Sequence, residues 1–196
     1  MPNLGILSDP ATSSIVNRIA RVQVMARAEI YWIPGLDNAR LAIMPRPNGN
    51  EWLAQEVRSW EENGINRIVS LLEERETTKL NLENEANECE QNNILFTSFP
   101  IQDCGIPESL PKAAQLVRSI ELDLLQGQSV GIHCRAGIGC SGLIAGCVLV
   151  NLGVPTPDIF PRISRGRGIE VPDTDAQCEW LTKYAKERRW ADWGYS

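Results

Sequence analysis

The segment 131–142, GIHCRAGIGCSG, combines a thiol with a glycine-rich turn. An apolar stretch typical of a strand precedes it at 129–133, and an apolar stretch typical of a helix follows from about residue 141. A loop between a strand and a helix N-terminus points free N–H groups at an anion, and the helix dipole adds positive potential. A thiolate at Cys134 would be stabilised in that field. Beneath a bound phosphate it would be placed to attack phosphorus.

The alternation of strand-like and helix-like segments predicts the elements that hold this loop. We expect an α/β fold, with a mostly parallel central sheet and helices on both of its faces. The predicted strands lie at 29–35, 41–47, 65–72, 93–101 and 129–133, and the predicted helices at 50–64, 82–89, 110–126, 141–152 and 174–190. Such sheets bind ligands beyond the carboxyl ends of their strands, where the loop 134–140 begins.

Two boundaries near the C-terminus follow from local chemistry. Asp173 is a reasonable N-cap for the last helix. Pro161 interrupts the segment DIFPRISRGRG and is expected to leave Arg162, Arg165 and Arg167 in a loop. At 196 residues the chain is expected to form one domain over 28–196, after an N-terminal extension over 1–27 that is partly helical at 15–25.

The loop HCRAGIGCSG resembles the signature of the protein tyrosine phosphatase superfamily, which is His-Cys, five residues, arginine and Ser or Thr. The nearest group is the compact dual-specificity-like phosphatases. The segments RLAIMPRP, GINRIVSLLEERE, FPIQDCGIP and RGRGIEVPDTDAQ follow the order and spacing of that group, so the resemblance covers about residues 28–190. It implies a cysteine-phosphatase-like version of the α/β fold.

The resemblance also implies a role for each matching residue. Cys134 would be the nucleophile that forms a phosphocysteine, and Asp103 would protonate the leaving oxygen and later activate water. Ser141 would hydrogen-bond the thiolate, and His133 would orient the loop. No metal or cofactor is implied. The phosphate would be held by the loop residues Arg135, Ala136, Gly137, Ile138, Gly139 and Cys140.

The sequence departs from the family at Cys140, where the signature has an arginine. That arginine grips two phosphate oxygens with a planar fork. Its loss removes two charge-assisted hydrogen bonds of about 1.5–3 kcal/mol each. By analogy with an arginine finger, the rate would fall about 10³–10⁵-fold. Arg135 is expected to point out of the loop, whereas the arginines at 162–167 are either solvated charges or a rim of the pocket.

Each candidate also has a plainer interpretation. Cys134 could be a buried inert thiol, and Asp103 a turn residue in a Gly/Pro loop. Ser141 could be a helix N-cap, and His133 a packed residue at a strand end. For Gln177 we expect a solvated helix position rather than a residue that positions water.

Composition excludes other classes of protein. A net charge of −6 lacks the basic footprint of a nucleic-acid binder. Six cysteines without regular spacing, one histidine and no CxxC pair favour reduced thiols in a cytoplasmic protein over disulfides or structural zinc. The uncharged stretch 136–157 is interrupted by glycines and prolines, so it predicts a buried helix rather than a membrane span. The N-terminus shows no signal segment.

Three functions remain open. The first is a phosphatase impaired by Cys140, and the second is a pseudophosphatase that binds phosphorylated ligands without turnover. The third is a redox protein that uses Cys134 and Cys140. The expected partner is a phosphorylated protein or a small phosphomonoester, with no nucleic acid and no membrane.

Overall fold

A computed structural model describes residues 28–36 and 40–193. The expected N-terminal extension, with its helix at 15–25, lies outside these residues. Five strands form one sheet in the order β1-β2-β5-β3-β4. β1 is antiparallel to β2, and the other neighbours are parallel. The strands are β1 Tyr31–Trp32, β2 Arg40–Pro45, β3 Arg67–Ser70, β4 Leu95–Ser98 and β5 Ser129–Cys134.

Helices cover both faces of the sheet, which confirms the predicted α/β class. A 3₁₀ turn at Asn50–Trp52 leads into the first helix. The helices are α1 Leu53–Glu62, α2 Glu74–Lys79, α3 Glu85–Gln91, α4 Leu110–Leu125, α5 Gly139–Asn151, α6 Thr156–Arg167 and α7 Asp175–Trp193. None of the helices in the described part of the chain is both long and apolar enough to cross a membrane.

The pleat of the strands divides the core into two apolar clusters. Ile43 of β2 faces the cluster that includes residues of α4 to α7, while Met44 faces the cluster built with α1 and α3. β5 is buried at every residue because it lies between β2 and β3. The carboxyl ends of β2 to β5 meet at one edge, so the segments that follow them are brought together there.

The C-terminal helices differ from the prediction in two places. The segment that Pro161 was expected to break lies in α6, with Pro161 inside the helix. Burial of Ile159 and Ile163 against the core holds the segment helical, and the proline removes a single helical donor. The N-cap of α7 is Thr174 rather than Asp173, because the Thr174 hydroxyl accepts a hydrogen bond from the Gln177 N–H at 3.3 Å.

A short helix was missed altogether. α2 consists of six polar or charged residues, so it has no apolar periodicity to predict it. The Glu73 N–H donates to the Glu76 carboxylate at 3.2 Å, which stabilises its first turn. This helix places Glu76 at the edge of the sheet where β5 ends.

Arg67 of β3 connects the neighbouring strand β4 and the helix α4 that packs on the sheet. Its guanidinium is almost fully buried, pairs with Asp123 of α4 and donates to Thr97 of β4 at 3.1 Å. Asp123→Ala would leave this cation buried without its counter-ion. We expect the free energy of unfolding in urea to fall by about 3 kcal/mol.

The matched control is Glu83→Ala, which removes a carboxylate from an exposed site. It is expected to stay within about 0.5 kcal/mol of the parent protein. Equal losses in the two variants would contradict the role given to the buried pair.

Candidate active site

Cys134 ends β5 at the edge where the parallel strands terminate. Its side chain is 8% exposed, and its Sγ lies 3.4 Å from the Oγ of Ser141. α5 begins at Gly139, two residues earlier than predicted, so Ser141 lies inside its first turn. The N-cap interpretation of Ser141 is therefore wrong. Its buried hydroxyl instead contacts the sulfur of Cys134.

The loop that follows Cys134 presents unpaired backbone donors. Gly137 has φ +67°, and a Cβ there would lie 2.4 Å from the carbonyl carbon of Met44, so only glycine fits this turn. Among the described residues, no backbone acceptor takes a hydrogen bond from the N–H groups of 136–138. The N-terminus of α5 adjoins them. Unpaired donors beside a helix N-terminus suit an anion.

Arg167 supports this loop from the side opposite its N–H groups. Its Nε donates to the Gly137 carbonyl at 3.0 Å and its Nη2 to the Ala136 carbonyl at 3.3 Å. The guanidinium also lies 3.9 Å over the ring of Tyr31. Since the C=O and N–H of a trans peptide point in opposite directions, carbonyls turned toward Arg167 leave the N–H groups facing away from it.

The other two arginines of α6, Arg162 and Arg165, also lie in a helix rather than in the predicted loop. Arg162 donates to the Gly35 carbonyl at 2.9 Å, next to the antiparallel edge strand. Arg165 is exposed on the same helix. Of the two alternatives left open for these arginines, the exposed Arg165 fits a solvated charge, whereas Arg162 and Arg167 contact backbone carbonyls.

Asp103 lies in a tight turn after β4, where the Gly105 N–H donates to the Gln102 carbonyl at 2.7 Å. An Oδ2 of Asp103 is 3.6 Å from an Nη1 of Arg135, which is equally far from Glu76 of α2. Arg135 is 58% exposed, in keeping with its expected outward direction. These ion pairs connect the Asp103 turn to the Cys134 loop.

Cys140 occupies the place of the signature arginine, and its side chain is 3% exposed. The Sγ lies 3.6 Å from the carbonyl of Gln102 and 3.8 Å from that of Gly105. Burial, with a smaller contribution from the nearby Cys134, raises the pKa of this thiol to about 12. Cys140 is thus a neutral thiol that connects the first turn of α5 to the Asp103 turn.

Gln177 completes this connection, and the expected solvated position was wrong. The side chain is fully buried, its Nε2 donates to the Gly105 carbonyl at 2.9 Å, and its Oε1 accepts from the Asp173 N–H at 3.2 Å. The spacing of Gln177 with Leu181 and Tyr184 places it on the buried face of α7, and this signal could have identified it.

His133 is a packed strand-end residue with an acidic partner that the sequence did not suggest. Its ring is fully buried, and its Nε2 lies 2.8 Å from an Oε1 of Glu85, which is also buried. Glu85 lies on the same buried face of its helix as Cys89, four residues later. This spacing is the one sequence signal that could have identified Glu85 as a buried residue.

The structure brings the nucleophile, loop, turn and histidine predicted from sequence to one edge of the sheet. Among the described residues, no group of three or more His, Cys, Asp and Glu side chains could hold a metal ion. All six cysteines are free thiols. The high pKa of Cys140 disfavours its thiolate, which argues against the redox interpretation.

We expect Arg167→Ala to weaken the binding of inorganic tungstate, measured by calorimetry, by about tenfold, because two charge-assisted hydrogen bonds that orient the loop are lost. The matched control is Arg165→Ala, which removes the same charge from an exposed site on α6. Equal weakening in both variants would show that bulk charge, rather than loop orientation, sets the affinity.

The pKa of Cys140 predicts a pH dependence of stability. The unfolded chain loses this proton near pH 8.5, whereas the folded chain keeps it to about pH 12. Between these values unfolding releases a proton, so the free energy of unfolding falls as the pH rises. Urea unfolding across this interval should show a shallower fall in Cys140→Ala than in the parent protein.

The control is Cys178→Ala, since the Cys178 thiol is exposed and its pKa is only modestly raised by partial burial and neighbouring carboxylates. It should change the slope less. A slope in Cys140→Ala that equals that of the parent protein would contradict the buried neutral thiol.

Comparison with known families gives a match over the part of the chain that carries this edge. The model of the family described as "Polymorphic toxin system, DSP-PTPase phosphatase" (Tc-R-P) matches residues 42–154, which is more than half of the chain. The matched region includes Asp103, the loop after Cys134 and the whole of α5.

Two viral proteins whose names describe them as tyrosine phosphatases are similar in sequence. Protein 197R of Invertebrate iridescent virus 6 is 28% identical over 95 residues, which cover 46% of this chain and 34% of the viral protein. Protein 067L of Invertebrate iridescent virus 3 is 32% identical over 114 residues, which cover 52% and 48%. The chain thus spans less than half of the length of these relatives.

The fold is also that of a solved structure. The crystal structure of kinase associated phosphatase superposes with a TM-score of 0.71 at 20% sequence identity. The superposition covers 82% of this chain and 95% of the other. At this level of identity the similarity concerns the fold alone.

Proposed function

The chain belongs to the DSP-PTPase phosphatase family of polymorphic toxin systems, within the protein tyrosine phosphatase superfamily, and from this premise we propose that it is a cysteine-dependent phosphomonoesterase whose turnover is limited by Cys140. The observation that carries the proposal is the position of the Cys134 sulfur. It lies 3.4 Å from the Ser141 hydroxyl, at the start of a loop with unpaired N–H groups. Residues 28–196 would act as one domain.

In the first step the thiolate of Cys134 attacks phosphorus. The S–P bond forms as the ester P–O bond breaks, and the carboxyl of Asp103 gives its proton to the leaving oxygen. The N–H groups of residues 135–140 would hold the phosphoryl oxygens, where charge accumulates. His133 would keep the start of the loop in place.

In the second step water hydrolyses the phosphocysteine. The oxygen of the water bonds to phosphorus while the carboxylate of Asp103 accepts a proton from that water, and the S–P bond breaks. Ser141 donates a hydrogen bond to the departing thiolate of Cys134, which lowers the cost of its negative charge. The products are inorganic phosphate and the regenerated thiolate.

Cys140 limits both steps because it brings no charge to the phosphate. Its thiol is neutral and lies against the carbonyls of the Asp103 turn. Arg167 is engaged on the carbonyl side of the loop, and Arg135 is paired with Asp103 and Glu76. These contacts leave the loop with N–H donors for an anion and without the guanidinium fork.

We propose phosphorylated proteins or small phosphomonoesters as substrates, with phosphotyrosine or dual specificity, and a cytoplasmic location. The six free thiols support a reducing compartment. The second candidate is a pseudophosphatase that binds phosphorylated ligands without turnover. The observation that favours it is the absence of the guanidinium at Cys140 beside an otherwise intact loop.

The test is hydrolysis of a small aryl phosphomonoester by the parent protein and by Cys140→Arg. We expect kcat/KM to rise by about 10³-fold or more in the variant, since the arginine restores transition-state charge stabilisation. Residual turnover in the parent that is lost in Cys134→Ser would identify an impaired enzyme. Binding of the phosphate ester with no such turnover would identify the pseudophosphatase.

Two controls accompany this test. Cys178→Arg adds the same charge at an exposed site of α7 and should not raise the rate. Cys134→Ser combined with Cys140→Arg should be inactive. Equal strong activity in the parent and in Cys140→Arg would contradict the limiting role of Cys140, and inactivity of both would contradict the phosphatase itself.

A further inference from the structure

Glu85 and His133 form a buried pair directly behind the nucleophile. The Nε2 of His133 lies 2.8 Å from the Oε1 of Glu85, and the side chains are 0% and 3% exposed. Charged groups are rarely buried in this way without a partner, because each loses several kcal/mol of hydration. Neither of these two atoms forms a hydrogen bond within the described residues, so this ion-pair contact is the polar contact that both depend on there. The two side chains therefore depend on each other.

The surroundings of the pair are apolar and rigid. The ring of Trp60 from α1 stacks on the imidazole of His133, with centroids 6.2 Å apart. Cys89 of α3 is the nearby titratable group on the same helix, and burial together with the charge of Glu85 raises its pKa, so it stays a neutral thiol. Glu85 is thus the carboxylate that contacts His133.

The backbone carries the effect of the pair to the sulfur. His133 is held in β5 opposite Ser70 of β3 and Met44 of β2, and its carbonyl accepts a hydrogen bond from the Leu71 N–H at 2.9 Å. Successive side chains of a strand point to opposite faces. The imidazole is therefore fixed on one face, while Cys134 emerges on the other with the anion loop.

We propose that Glu85 is a positioning residue that, through His133, fixes the end of β5 and favours the thiolate of Cys134. The carboxylate of Glu85 lies in contact with Nε2 of the imidazole, which holds the ring in one orientation. The functional part of this inference rests on the proposed function, but the reactivity of the thiol does not require turnover.

The first measurement uses the fact that the chain contains one histidine. In protein labelled with ¹⁵N-histidine, the single imidazole should show a proton on Nε2 that exchanges slowly with solvent. Glu85→Gln should alter the nitrogen shifts or speed this exchange, because the charged acceptor is lost. A parent protein without a proton on Nε2 would overturn the proposal, and this outcome needs no variant to fold.

The second measurement is the rate at which iodoacetamide alkylates Cys134, followed thiol by thiol through peptide mass mapping. We expect Glu85→Gln to slow this rate by about tenfold at neutral pH, because a sulfur that is no longer held in place loses part of the stabilisation that the loop N–H groups give its thiolate. Glu85→Asp keeps the charge and should recover part of the rate. The control Glu90→Gln removes the same charge from an exposed site on α3.

Unchanged alkylation in a folded Glu85→Gln would overturn the proposal, as would equal slowing in Glu90→Gln. Should Glu85→Gln fail to fold, Glu85→Asp and the imidazole spectrum of the parent protein decide the question. Inactivity of Cys140→Arg toward phosphate esters would contradict the proposed function and leave these measurements unaffected, so the two failures are distinguishable.

Discussion

The end of β5 imposes the constraint on which the rest of the site depends. Two consecutive residues there point to opposite faces of a fully buried parallel strand. His133 is fixed behind the sheet by Trp60 and Glu85, and this leaves Cys134 on the other face, at the start of the loop. Parallel neighbours on both sides prevent the strand from shifting, so the sulfur has one position relative to α5.

The loop itself is shaped from outside as much as from within. Arg167 donates hydrogen bonds to the carbonyls of Ala136 and Gly137, and the N–H groups of the loop remain without a backbone acceptor. Cys140 and Gln177 contact the Asp103 turn from the first turns of two different helices. The arginine that the family signature has at residue 140 would contribute charge, whereas the cysteine contributes packing. The unpaired N–H groups of the loop therefore persist without the guanidinium.

Local signals explain which parts of this arrangement were predictable. The apolar strands and the long amphipathic helix α4 follow from periodicity, and the loop 134–140 follows from its glycines and its place between a strand and a helix. α2 was missed because six polar residues have no periodicity, and α6 because burial of Ile159 and Ile163 outweighs the cost of Pro161. Thr174 replaced Asp173 as a cap because neighbouring polar residues are equivalent in sequence and differ only in backbone position.

The sequence by itself determined the α/β class, the cysteine loop and the departure at residue 140, because these depend on residue type and short spacing. The tertiary structure decided which distant groups contact the loop. Glu85 is 48 residues before His133 and Arg167 is 30 residues after Gly137, and only the packing of α3 and α6 against the sheet brings them together. Burial likewise made Gln177 a structural contact and Cys140 a neutral thiol, since solvent exclusion is a property of the folded chain.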